Sequence, residues 1–231
     1  MEVFKSAFLN RIAKSFAFKY TKLGAAHYPY NIEPIQLACL IEQIERTRDL
    51  TGNIAEIGVA RGMTTRFLVE HLRLQKLDST LRYYAIDTFD SFTKPDVDHE
   101  VKQRGKQPNQ FYEYNYFDYE AWKRHFVEFG FVEAIKSDCT QVDYLKLSPF
   151  KLVFLDVDLY LPTKKTLELI YDLMVTGGAI VVDDVQEGNK YDGAYQALIE
   201  FVAERGLTPQ FVGNKGALLI KMGAAKDFRG V

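Results

Sequence analysis

Two hydrophobic patterns alternate along the chain. Residues 54–57, 83–86, 132–135, 152–155 and 179–182 are short runs of mostly apolar side chains. Runs that are apolar on both faces belong to strands of a parallel sheet covered by helices on each side. Between them, apolar residues recur at helical spacing: Leu37, Leu40, Ile41 and Ile44 behind Pro34; Phe67, Leu68, His71 and Leu72; Leu167, Ile170, Tyr171 and Met174; Tyr195, Leu198, Ile199 and Val202. Gly177 and Gly178 are expected to end the third of these helices. Two short apolar pieces around Gly213 and Gly216 close the chain as a hairpin. The pattern predicts one α/β domain over residues 31–231, Rossmann-like and doubly wound. Its sheet is mostly parallel, seven-stranded, and finished by a C-terminal antiparallel hairpin.

Two stretches depart from the alternation. In residues 1–30, Phe4, Phe8, Ile12 and Phe16 recur every fourth position among Lys5, Arg11, Lys14, Lys19 and Lys22, against the single acid Glu2. This reads as a basic amphipathic helical extension. Such a helix can lie on an anionic membrane or serve as a transit segment. The favoured reading is a helix packed on its own domain or on a second subunit of a homo-oligomer, rather than on a membrane. Charges interrupt any apolar core that a secretory signal would need. Residues 94–118 are polar, rich in Tyr and Asn, and without a steady period. They are expected to form a lid or a small inserted element.

Composition narrows the function without naming it. The 231 residues carry a formal net charge of −2, which gives no electrostatic footprint for nucleic acid. Cys39 and Cys139 are far apart and form no CxxC pair, which fits a reducing, cytoplasmic compartment. No apolar run is long enough to span a bilayer.

The chemistry gathers where the strands end. Ligands of open α/β sheets bind beyond the carboxyl ends of the strands. Here those ends are Gly58, Asp87, Asp138, Asp156 and Asp183. The first turn reads Glu56-Ile57-Gly58-Val59-Ala60-Arg61-Gly62, with Ala60 where a dinucleotide fingerprint needs glycine. An acid at Glu56 would repel a pyrophosphate and suit a ligand carrying an ammonium or sulfonium group. Asp87 is placed to accept from vicinal ribose hydroxyls, and Asp138 from an adenine amine. Taken singly, each acid could be a turn or capping residue, Asp138 most of all; Glu56 and Asp87 together favour binding, because both sit at the ends of buried strands.

The second cluster is Asp156-Val157-Asp158-Leu159-Tyr160 with Asp183-Asp184. Crowded carboxylates repel one another, and a divalent cation relieves that repulsion; oxygen-only donors select Mg²⁺, Ca²⁺ or Mn²⁺. Caps at Asp158 and Asp184 are the plainer alternative. His99, beside the expected lid, could assist proton removal.

Together, Glu56 to Gly62 followed by Thr64, the run Ile86-Asp87-Thr88-Phe89-Asp90-Ser91-Phe92, and the acidic cluster resemble the class I methyltransferases, most closely the macrocin O-methyltransferase family. The resemblance covers roughly residues 30–220 by strand order. It implies S-adenosylmethionine as methyl donor, bound by Glu56, Gly58, Ala60, Gly62, Thr64, Asp87, Thr88, Ser91, Asp138, Cys139 and Asp156. It also implies a small-molecule acceptor, a sugar or glycosylated natural product, methylated on a hydroxyl. Metal-dependent relatives take one ligand from the fourth strand end and two from the fifth, which here are Asp156, Asp183 and Asp184, with Mg²⁺ as the expected ion. Catalysis then falls to Asp156, Asp158 and His99. One departure is Leu159, where the catechol type carries a lysine base. A nicotinamide-dependent oxidoreductase or a non-catalytic nucleoside-binding protein would share the fold. Ala60 argues against the first, and the intact acids at the strand ends against the second.

Overall fold

The computed structural model describes residues 2–111 and 118–223. The chain divides into two compact units, residues 1–31 and 32–231. The first contains α1 (Glu2–Tyr20), the helix expected there. Its apolar residues are not confined to the face of Phe8, Ile12 and Phe16, because Phe18 falls outside it. Among the described residues, no helix is long and apolar enough to cross a membrane.

The second unit alternates strand and helix. It runs α2 (Pro34–Arg46), β1 (Asn53–Ile57), α3 (Met63–Leu74), β2 (Tyr83–Asp87), α4 (Lys94–Arg104), α5 (Tyr119–Phe126) and β3 (Val132–Lys136). It continues through α6 (Tyr144–Leu147), β4 (Phe150–Leu155), α7 (Tyr160–Ile170), β5 (Met174–Val182), α8 (Gly193–Arg205), β6 (Gln210–Val212) and β7 (Gly216–Ile220). The seven strands form one sheet in the order β3-β2-β1-β4-β5-β7-β6, with β7 antiparallel to both neighbours. This is the expected doubly wound sheet with its antiparallel end.

One expectation changes. Gly177 and Gly178 do not terminate a helix. α7 stops at Ile170, and both glycines lie within β5, where the pairing slips from Phe150↔Met174 to Leu152↔Ala179. Gly177 takes a φ of 80° at this bulge, a conformation glycine adopts without steric cost. Within the inserted stretch, residues 94–104 are a regular helix. Thr93 caps α4 by accepting a hydrogen bond from the Asp96 N–H, and Gly105 ends it in the left-handed conformation. The inward face of α4 carries buried Asp96 and Glu100 beside Val97 and Val101, so apolar periodicity could not reveal it. Residues 112–117 of the expected lid lie outside the described residues.

Candidate active site

The sheet register sets the site. Ile57 pairs with both Ile86 and Leu155, and Leu155 pairs with Val182. These four buried residues form one row across β2-β1-β4-β5. The next residue on each strand is Asp87, Gly58, Asp156 and Asp183, so these four positions share the adjoining row at the carboxyl rim. Asp138 does not join them. β3 ends at Lys136, and Asp138 caps the following turn by accepting from the Thr140 N–H at 2.8 Å.

The row is tight at its centre. A Cβ on Gly58 would fall 1.7 Å from the Asp156 carbonyl oxygen, so only glycine fits there. The glycine turn and the fourth-strand acid are thus in direct backbone contact, and a ligand lying over Gly58 also meets Asp156. Ala60 follows with a φ of 45°. It holds the left-handed conformation that glycine would supply, at a steric cost for an L-residue. Gly62 opens α3 with its Cα against Trp122 and Phe126, which stack on each other at 4.1 Å. Thr64 is half-buried in the first turn of that helix.

Asp87 organises this loop. Its Oδ2 accepts the backbone N–H groups of Val59 (2.8 Å) and Ala60 (3.0 Å). Its Oδ1 accepts the Phe89 N–H (2.7 Å) and faces the Thr88 hydroxyl (3.3 Å). Three backbone N–H groups therefore already occupy the carboxylate, and ribose hydroxyls at Asp87 must share its oxygens with them or displace some of them. Thr88 also donates to the Ser91 carbonyl at 2.9 Å, which folds the turn after β2.

Glu56 faces the other way from the expectation. It is 1% exposed, and its Oε2 accepts from Thr65 Oγ1 (2.6 Å) and from Tyr83 Oη (2.5 Å). The side chain ties α3 and β2 to β1. Burial pushes its carboxyl up to about 7 against the pull of those two hydrogen bonds. Cys139 is also buried, and burial raises its thiol to about 12, so it packs as a neutral group.

At the acidic end, oxygens of Asp156, Asp158 and Asp184 lie within 4.8 Å of one another. Asp158 and Asp184 have φ values of 62° and 56°. With Ala60 and Phe89 (φ 50°), four of the five described non-glycine residues at positive φ lie on this rim, where strained backbone marks functional loops. Burial first, then the neighbouring carboxylates, drives Asp156 and Asp158 well above the ordinary range. Asp183 is held apart from this trio. Its Oδ1 accepts from Gln36 Nε2 on α2 (2.6 Å), and its Oδ2 pairs with Lys215 Nζ (2.9 Å). Lys215 also reaches Asp184 Oδ1 at 2.9 Å. The sequence offers no base beside these acids. Gln36 and Lys215 arrive from distant segments, and only the β5–β7 register could have pointed to the lysine. An all-oxygen donor set under mutual repulsion fits a hard divalent cation. Leu159 is buried and aliphatic, and an aliphatic side chain supplies no general base at that position.

His99 lies on α4, stacked on Tyr160 at 5.2 Å. Both line a cavity of about 350 Å³ together with Gln103, Arg104, Asp192 and Gln196. Tyr160 follows Asp158 by two residues, so this polar basin adjoins the acidic loop.

The family model for macrocin O-methyltransferases (TylF) matches residues 33–213. Among solved structures, the O-methyltransferase NovP is similar at a TM-score of 0.68 and 18% identity, over 87% of this chain and 84% of that one. CalS11, a calicheamicin methyltransferase, is similar at a TM-score of 0.65 and 17% identity, over 80% and 77%. Cofactor-bound Rv0187 from MTB is similar at 0.55 and 18% identity, over 94% and 91%. No curated protein matches the sequence.

Proposed function

The chain belongs to the macrocin O-methyltransferase (TylF) family, whose members are S-adenosylmethionine-dependent O-methyltransferases, and from that premise we propose that it methylates a hydroxyl of a sugar or glycosylated natural product with help from a divalent cation. The observation that carries this reading is the single row of Asp87, Gly58, Asp156 and Asp183 across neighbouring strands. It joins a nucleoside half-site around the glycine turn to an acidic half-site. The names of two similar structures support the acceptor class. One is a calicheamicin methyltransferase, and its apo form is described as a TDP-rhamnose 3'-O-methyltransferase.

In this reading the glycine turn and Asp87 hold the methionine and ribose of the cosubstrate, with Gly62, Thr64, Thr88 and Ser91 shaping the loop. Asp138 and Cys139 stand at the adenine end. Glu56 acts from behind, by fixing the strand that carries Gly58. The acceptor lies over the acidic half-site, with its remaining hydroxyls toward the basin of His99, Gln103 and Gln196. Its oxygen attacks the methyl carbon in line with sulfur. The O–C bond forms as the C–S bond breaks, and sulfur keeps the electron pair, leaving S-adenosylhomocysteine. Alignment of the three atoms supplies much of the acceleration. The hydroxyl proton passes to Asp158, the carboxylate that stands beside Asp156 and Asp184 in the acidic cluster. A divalent cation held by Asp156 and Asp184, joined by Asp183, would lower the pKa of the acceptor hydroxyl.

The test is a mass-shift screen with S-adenosylmethionine against nucleotide sugars, glycosylated natural products and catechols. The expected result is a gain of one methyl on a sugar hydroxyl, matched by S-adenosylhomocysteine. Methylation of catechols alone would contradict the proposal.

A further inference from the structure

Lys215 brings a positive charge to the acidic half-site from the far end of the domain. The pairing Val182↔Ala217 means that β7 begins where β5 ends, so the hairpin tip lies beside Asp183 and Asp184. The tip is fixed from two sides. Val185 donates its N–H to the Lys215 carbonyl at 2.7 Å. Glu33, ahead of α2, accepts both the backbone and side-chain N–H of Asn214, at 2.7 and 2.6 Å. A Cβ on Gly213 would come 2.2 Å from Glu33 Oε2, so the tip sits hard against that carboxylate. From this anchored turn, Lys215 reaches Asp183 and Asp184 at 2.9 Å each, with its side chain 21% exposed. A half-buried ammonium on two carboxylates is a cation that cannot diffuse away. A divalent ion arriving at Asp184 must either displace it or bear its repulsion, and in a partly desolvated site that repulsion is large.

We propose that Lys215 is a tethered cation that competes with the divalent ion for Asp183 and Asp184 and so keeps metal binding weak and readily reversible. This rests on the reading of the acidic half-site as a metal site. The proposal assigns Lys215 a role in metal affinity, not in the transfer step.

The experiment is a Mn²⁺ titration, followed by the electron paramagnetic resonance signal of free Mn²⁺, on the wild type, Lys215→Met and Lys215→Arg. Lys215→Met keeps the aliphatic stem and loses the charge, and should bind Mn²⁺ about tenfold or more tighter. Lys215→Arg keeps the charge and should behave as wild type. Unchanged or weaker binding by Lys215→Met, with a wild-type melting curve, would overturn the proposal, since a merely structural lysine predicts loss. If Lys215→Met does not fold, Lys215→Gln is read by the same criterion. No Mn²⁺ uptake by any of the proteins would overturn the metal reading itself, and the proposal with it. That outcome is distinct from equal binding by wild type and variant.

Discussion

Asp87 accepts hydrogen bonds from Val59, Ala60 and Phe89 of its own chain, so removing it should do two things at once. Asp87→Ala should weaken S-adenosylmethionine binding by about 1.5–3 kcal/mol, roughly ten- to a hundredfold. It should also lower the melting temperature, because three loop N–H groups lose their acceptor. Calorimetry and a melting curve on one sample separate the two effects, and unchanged affinity in a folded variant would refute the role. Glu56 makes a different prediction. Burial raises its carboxyl to about 7 in the folded chain, above the ordinary value of 4.5. The folded state therefore binds more protons than the unfolded state between those values. By linkage, stability falls as pH rises through that window and levels off above it. Glu56→Gln keeps an acceptor for Thr65 and Tyr83 but removes the titration. Its melting temperature should fall less than that of the wild type between pH 5 and about 7.5. Parallel curves for the two proteins would place the buried charge elsewhere.

At the scale of elements, the strands were legible because the parallel strands are short, mostly apolar runs, and the parallel sheet with its antiparallel end followed from their alternation with helices. α4 was not legible. Its inward positions are Asp96 and Glu100, and Glu100 is satisfied by hydrogen bonds instead of by apolar contact. Its Oε1 accepts the Tyr160 N–H (2.8 Å) at the start of α7, and its Oε2 accepts from Arg104 Nε (2.8 Å). The glycines of β5 misled for a related reason: a bulge and a helix end both call for positive φ. Because Glu100 joins α4 to α7, Glu100→Ala should leave the Tyr160 N–H and Arg104 without their partner. The cost should be roughly 1.5–3 kcal/mol. Hydrogen exchange should show residues 94–104 losing protection before the sheet does. Equal protection in variant and wild type would mean that α4 is held by other contacts.

Across the whole molecule, the sequence identified the acids at the strand ends but not which of them share a level. Asp138 drops out of the row because Lys136 holds the β3 place opposite Asp87 and Asp138 lies two residues beyond it, and Glu56 turns inward because strand side chains alternate faces. Asp183 is taken up by Gln36 and Lys215, partners 147 and 32 residues away in sequence. No local pattern carries such contacts. What the register does establish is that Gly58 and Asp156 meet, while the glycine turn with Asp87 and the acidic cluster stand on different strands. They should therefore be separable by one reagent. The most direct measurement is methyl transfer to a sugar acceptor in excess EDTA, then after return of Mg²⁺ or Mn²⁺, with S-adenosylmethionine binding followed throughout. The account predicts that transfer stops and is restored while cosubstrate binding persists. Full transfer in EDTA, with no metal found by elemental analysis, would contradict it.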